Sequence, residues 1–172
     1  MQYQISYLSP NGHTRKLAES ILKILPEDTA ILDLEEECEN RGQLHLIGFE
    51  MNEASIRAVP YRIMELLNML EHQDVVLFVT SPFRPDAHVK NVMEHRIEPF
   101  IPETCRYRGL YLCIGQASDA LLNMVRAEAE KRLDDVQMQE RRKRCEQSVG
   151  PPDENELLEA QRFVAEILGI RE

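Results

Sequence analysis

Residues 74–80 read Asp-Val-Val-Leu-Phe-Val-Thr, an apolar run of strand length with no polar alternation. A run of this kind is a strand buried on both faces, which calls for a parallel sheet with helices above and below it. The rest of the chain meets that demand. Short apolar runs recur at 3–8, 29–34, 44–49 and 109–115. Helical patterns lie between them. Leu17, Ile21 and Leu25 share one helix face over 13–25, and Ile63, Leu66, Leu67 and Leu70 share another over 58–71. A further helix begins near residue 86, with Asp86 as its N-cap. Five strands interleaved with helices predict an α/β fold: a doubly wound five-stranded parallel sheet, order 2-1-3-4-5, with helices on both faces. A single domain over residues 1–172 suits the length.

The rhythm changes after the fifth run. Residues 118–147 are helix-forming and highly charged, with an apolar stripe of Leu121, Leu122, Val125, Ala129 and Leu133 that fades into a basic run at 140–144. That run is expected to be a solvated helix end, favoured by the helix dipole. Asp153 and Glu156 have capping-box spacing before a last helix that buries Leu157, Ala160, Val164 and Ile167.

Composition narrows the function. A net charge of −10 argues against nucleic acid and anionic membrane surfaces as partners. No apolar run is long enough to span a bilayer. The first 25 residues show no secretory cleavage pattern, so a cytoplasmic location is expected. The four cysteines are scattered and are expected to be free thiols. The five histidines share no metal-ligand spacing with them, so no metal site is expected, and no catalytic triad can be assembled.

In a doubly wound sheet, ligands bind beyond the carboxyl ends of the strands, where the strand order reverses. That points to the loops after strands 1, 3 and 4. The first, Ser9-Pro10-Asn11-Gly12-His13-Thr14, joins a strand directly to a helix. Ser9 and Thr14 bring hydroxyls, Gly12 permits close backbone approach, and Asn11, Gly12, His13 and Thr14 each keep an N–H at a helix start. Pro10 has none. The turn is neither a GxGxxG fingerprint nor a GxxxxGK[ST] loop. By itself it is either an ordinary strand-to-helix turn or a phosphate site.

The stretch SPNGHTRKLAESI resembles the phosphate loop of the flavodoxin family, [ST]-x-[TS]-G-[NH]-T. Ser9, Gly12 and Thr14 match, His13 is an accepted variant, and Asn11 replaces a hydroxyl. The resemblance continues along nearly the whole chain. LIGFEMNEAS is similar to a GFW-x-DKG segment, VVLFVTSPFRPD to a strand-4 segment, YLCIGQ to CQGK, and GPPDENELLEAQRF to HPNEEDLxxAxxF. The resemblance implies a flavodoxin-like fold, FMN as cofactor and electron transfer as the role. It implies Ser9, Asn11, Gly12, His13 and Thr14 at the phosphate, and Met51, Thr80 and Phe83 nearer the flavin ring.

The departures fall in the ring loops. Glu50 stands where the subfamily has Trp, and EMNEASIR holds no aromatic side chain. Gln116 replaces the lysine of CQGK and Pro151 replaces a histidine. Two readings follow. In one, the chain binds FMN and carries electrons to or from a redox partner protein docked at the strand carboxyl-end face, with no catalytic side chain of its own. In the other, it is a flavodoxin-fold accessory subunit with weak or no FMN binding.

Overall fold

A computed structural model of the chain describes residues 2–51, 59–82, 87–115, 119–147 and 150–170. Strands β1 (Tyr3–Leu8), β2 (Ala30–Asp33), β3 (Leu44–Glu50), β4 (Asp74–Ser81) and β5 (Arg106–Ile114) form one sheet in the order β2-β1-β3-β4-β5. Every neighbouring pair is parallel. The described helices are α1 (His13–Leu22), α2 (Tyr61–Asn68), α3 (Ala87–Ile97), α4 (Asp119–Lys131), α5 (Val136–Gln147) and α6 (Glu154–Leu168). Strand order and helix alternation agree with the sequence reading. Asp86 and its expected capping role lie outside the described residues.

The period-two geometry of the strands divides the core. Ile47, Phe49, Val75, Leu77, Val79, Leu110 and Leu112 pack with α2 and α3. Leu44, Leu46, Val76, Phe78 and Cys113 point the other way and pack with Leu17, Ala18 and Ile21 of α1 and Ala160 and Val164 of α6. Each such side chain contributes about 1.5–3 kcal/mol on full burial, so two buried faces explain why β4 tolerates no polar residue in its middle. One contact fixes a residue type. Gly48 pairs with Phe78 across β3 and β4, and a Cβ on Gly48 would stand 2.0 Å from the Phe78 ring.

Element ends differ from the periodic reading for local reasons. Helix α1 stops at Leu22 although Leu25 is buried, because the chain tightens into i→i+3 turns (Lys23 N–H to Ser20 O, Ile24 N–H to Ile21 O, Leu25 N–H to Leu22 O) before Pro26. Strand β5 starts three residues earlier than its apolar run. A bulge at Arg108 lets the pairing jump from Val75↔Tyr107 to Val76↔Gly109. The freed Arg108 guanidinium binds Asp74 Oδ2 at 2.8 Å and the Ile167 carbonyl at 2.9 Å, tying β4 to the end of α6.

The capping box of α6 is formed. The Asp153 carboxylate accepts from Glu156 N–H at 2.9 Å and Glu156 accepts from Asp153 N–H at 3.0 Å. The charged segment breaks at 132–135 into two helices that fold back on each other. Leu121 and Val125 of α4 meet Cys145 of α5 in a small separate core. Among the described residues, no helix is long and apolar enough to cross a membrane.

Candidate functional site

The site begins with strand register. Leu8 pairs with Phe49, so the next residues, Ser9 and Glu50, leave the carboxyl end of the sheet side by side. Ser9–Gly12 then close a turn, with Gly12 N–H donating to the Ser9 carbonyl at 3.1 Å. Pro10 occupies the second turn position, where its fixed φ suits the geometry and an N–H is not required. Gly12 adopts φ 80°, ψ 0° as the N-cap of α1. This left-handed conformation favours glycine, and no atom of the chain would obstruct a Cβ there within 4 Å. Glycine is therefore needed at this position for conformation rather than for space.

A turn that passes through a left-handed residue aims successive N–H groups to one side and forms a concavity suited to an anion. The cradle holds the carboxylate of Glu50. Its Oε1 accepts from Ser9 Oγ at 2.8 Å, from Asn11 N–H at 3.2 Å and from His13 N–H at 3.2 Å. Its Oε2 accepts from Asn11 Nδ2 at 2.8 Å and shares the Asn11 N–H at 3.3 Å. Arg15 N–H donates to Ser9 Oγ at 3.0 Å and orients the hydroxyl. The Arg15 side chain is turned away to Glu19 at 2.8 Å. The charge on Glu50 is thus met by backbone N–H groups, an amide and a hydroxyl at a helix start, with the helix dipole adding to them.

The remaining expected residues lie deeper or elsewhere. Thr14 is fully buried, and its hydroxyl is 3.0 Å from that of Thr80 at the end of β4. The Thr80 carbonyl accepts from Met51 N–H at 2.8 Å, which pins the exit of β3 to β4. Met51 is half-buried against the edge of the α2–α3 core. Gly115 N–H donates to the Ser81 carbonyl, so the ends of β4 and β5 are tied in the same way. Cys113 is buried, and burial, reinforced by Glu156 and Asp153, pushes its thiol well above the usual range. A thiol so placed is a poor nucleophile. Phe83 lies outside the described residues, as do residues 52–58 of the loop after β3.

Ser9, Asn11, Gly12 and His13 are therefore brought together around one anion, and Thr14 and Thr80 form the floor beneath. Sequence reasoning missed the part taken by Glu50 in this turn and noted it as a residue standing where an aromatic was expected. The missed signal was register: in a parallel β1–β3 pair ending at Leu8 and Phe49, residue 50 is the neighbour of residue 9.

A doubly wound five-stranded sheet with an anion cradle directly after its first strand defines a class of α/β proteins that receive an anionic group at the switch point. A family model for the flavodoxin domain matches residues 4–165. The chain belongs to the flavodoxin family. Solved structures with the same fold include a short-chain flavodoxin associated with a PDU bacterial microcompartment (TM-score 0.58, 7% identity, 98% of this chain and 97% of that one). A flavodoxin of Streptococcus pneumoniae TIGR4 is similar over 98% of this chain and 99% of its own, with TM-score 0.57 and 10% identity. A flavodoxin from the domain Archaea matches with TM-score 0.52 and 11% identity, over 98% of this chain and 97% of that one. No curated protein matches the chain in sequence.

Proposed function

We propose that the chain binds FMN at the carboxyl end of its sheet, with the phosphate in the Ser9–Thr14 turn, and passes electrons to or from a partner oxidoreductase. The observation that carries this reading is the convergence of Ser9 Oγ, Asn11 N–H, Asn11 Nδ2 and His13 N–H on one carboxylate. Donors that already hold one anion suit the oxygens of a phosphate monoester. Bound there, FMN supplies one- and two-electron redox chemistry, and the chain needs no catalytic side chain for it. The chain's part is to anchor the phosphate, hold the ends of β3 and β4 together through Met51 and Thr80, and set the electrostatic environment. Negative charge disfavours a reduced, anionic flavin and lowers its potential. Glu35 and Glu36, exposed after β2 on the same side of the sheet, supply part of an acidic rim that suits a basic redox partner.

Glu50 in the cradle and the absence of an aromatic from EMNEASIR favour a second reading: an accessory protein of flavodoxin fold with weak or no FMN binding. Fluorescence titration of purified protein with FMN separates the two. Saturation with a dissociation constant at or below tens of micromolar (on the order of −6 kcal/mol) is the expected result for the carrier. No saturable binding in that range overturns the carrier reading in favour of the accessory one.

A further inference from the structure

We propose that Glu50 is a built-in competitor for the phosphate cradle: its carboxylate and a phosphate-bearing ligand exclude each other. Glu50 thereby sets how strongly the site discriminates between phosphorylated and unphosphorylated ligands. The inference rests on the reading that the cradle takes a phosphate monoester.

The argument is a count of donors. Four groups of the turn point into the cradle: Ser9 Oγ, Asn11 N–H, Asn11 Nδ2 and His13 N–H. All four are committed to Glu50. Of the neighbouring N–H groups, that of Gly12 is spent on the Ser9 carbonyl and that of Arg15 on Ser9 Oγ. The Thr14 hydroxyl is engaged with Thr80. Apart from the Thr14 N–H at the start of α1, a phosphate placed in the turn has to take its hydrogen bonds from the donors Glu50 holds. It cannot share them without bringing two anions within a few ångströms of each other, and among the described residues the guanidinium beside the turn, that of Arg15, is paired with Glu19.

The competitor is also tethered. Glu50 is the last residue of β3, paired with Thr80, and the following Met51 N–H is bonded to the Thr80 carbonyl. Its carboxylate is therefore present beside the cradle at a high effective concentration, and a free ligand has to overcome that. A ligand without a phosphate does not need the four donors and escapes the competition. The role is one of specificity: Glu50 handicaps FMN relative to riboflavin, and its removal restores the phosphate's advantage.

The experiment compares wild type with Glu50→Ala and Glu50→Gln, using inorganic phosphate, FMN and riboflavin as probes. Amide NMR spectra follow Asn11, Gly12 and His13 during a phosphate titration, and thermal melts follow the fold. In Glu50→Ala, phosphate at millimolar concentration is expected to shift these amides and to raise a lowered melting temperature. Wild type is expected to respond at least tenfold more weakly, and Glu50→Gln, which keeps an acceptor but no charge, to fall between. The FMN dissociation constant should tighten roughly tenfold or more in Glu50→Ala, while that for riboflavin changes by less than about threefold. Equal phosphate responses in wild type and Glu50→Ala overturn the inference. So does a parallel change for FMN and riboflavin, or no phosphate response in either protein. If Glu50→Ala gains the phosphate response but neither protein binds flavin, the inference stands and the FMN reading falls. If wild type binds FMN and Glu50→Ala neither tightens it nor gains phosphate, the reverse holds.

Discussion

His45 is fully buried on β3. Its Nε2 lies 3.1 Å from both Asn40 Oδ1 and the Gly42 carbonyl. Two acceptors at one nitrogen require that nitrogen to carry the proton, and Nδ1 has no partner among the described residues. The ring is therefore neutral, and burial holds it below its ordinary value of 6.5 against a smaller opposing effect from the Gly42 carbonyl. In the unfolded chain the imidazole takes up a proton as pH falls through about 6.5, whereas in the fold it resists. Unfolded chains then hold the extra proton, so stability drops with acidification below that point and is unaffected by this group above pH 7. His45→Gln should flatten the dependence of unfolding free energy on pH between 5 and 6.5 by up to about 1.4 kcal/mol per pH unit relative to wild type. Urea denaturation across that range measures it, and parallel curves for the two proteins would refute it. At this scale the sequence shows residue types but not partners. A histidine amid the apolar residues of a strand is visible; that its proton sits between a loop amide and a loop carbonyl is not.

Elements were the most legible level. The five apolar runs all became strands, and the capping box of α6 formed as its spacing implies. What periodicity could not show was where the segment 118–147 turns. Its stripe fades because, among the described residues, α5 contributes one deeply buried residue, Cys145, to the core it shares with Leu121 and Val125. Arg126 and Arg142 both pair with Glu146, at 3.0 and 3.1 Å, on the surface of this hairpin. Exposed pairs of this kind are worth little, about 0–1 kcal/mol each. The hairpin thus depends on a small core separate from the sheet and should open independently. Leu121→Ala, which empties part of that core, should accelerate hydrogen exchange across 119–147 by tenfold or more and leave the amides of β3 and β4 unchanged. Uniform acceleration across the molecule would show that the hairpin and the sheet unfold together.

For the molecule as a whole, the net charge of −10 bears on association more than on fold. If the carboxyl-end face docks a basic partner, electron transfer from the reduced, FMN-loaded protein to cytochrome c, a basic acceptor, should slow several-fold as ionic strength rises from ~10 to ~150 mM. Over that range the screening length contracts from ~30 to ~8 Å. A rate independent of salt would exclude steering by the acidic surface. Strand order, two-sided burial and the place of the cradle all followed from the sequence by itself, because hydrophobic period and the geometry of parallel crossovers act through neighbours along the chain. Only the tertiary structure decided what occupies the cradle. Glu50 meets Ser9, Asn11 and His13 across about forty residues of chain, through the register of β1 against β3. A carboxylate carries no local mark of which donors it will find; the alignment of two strands, held by the packing of both their faces, makes that choice.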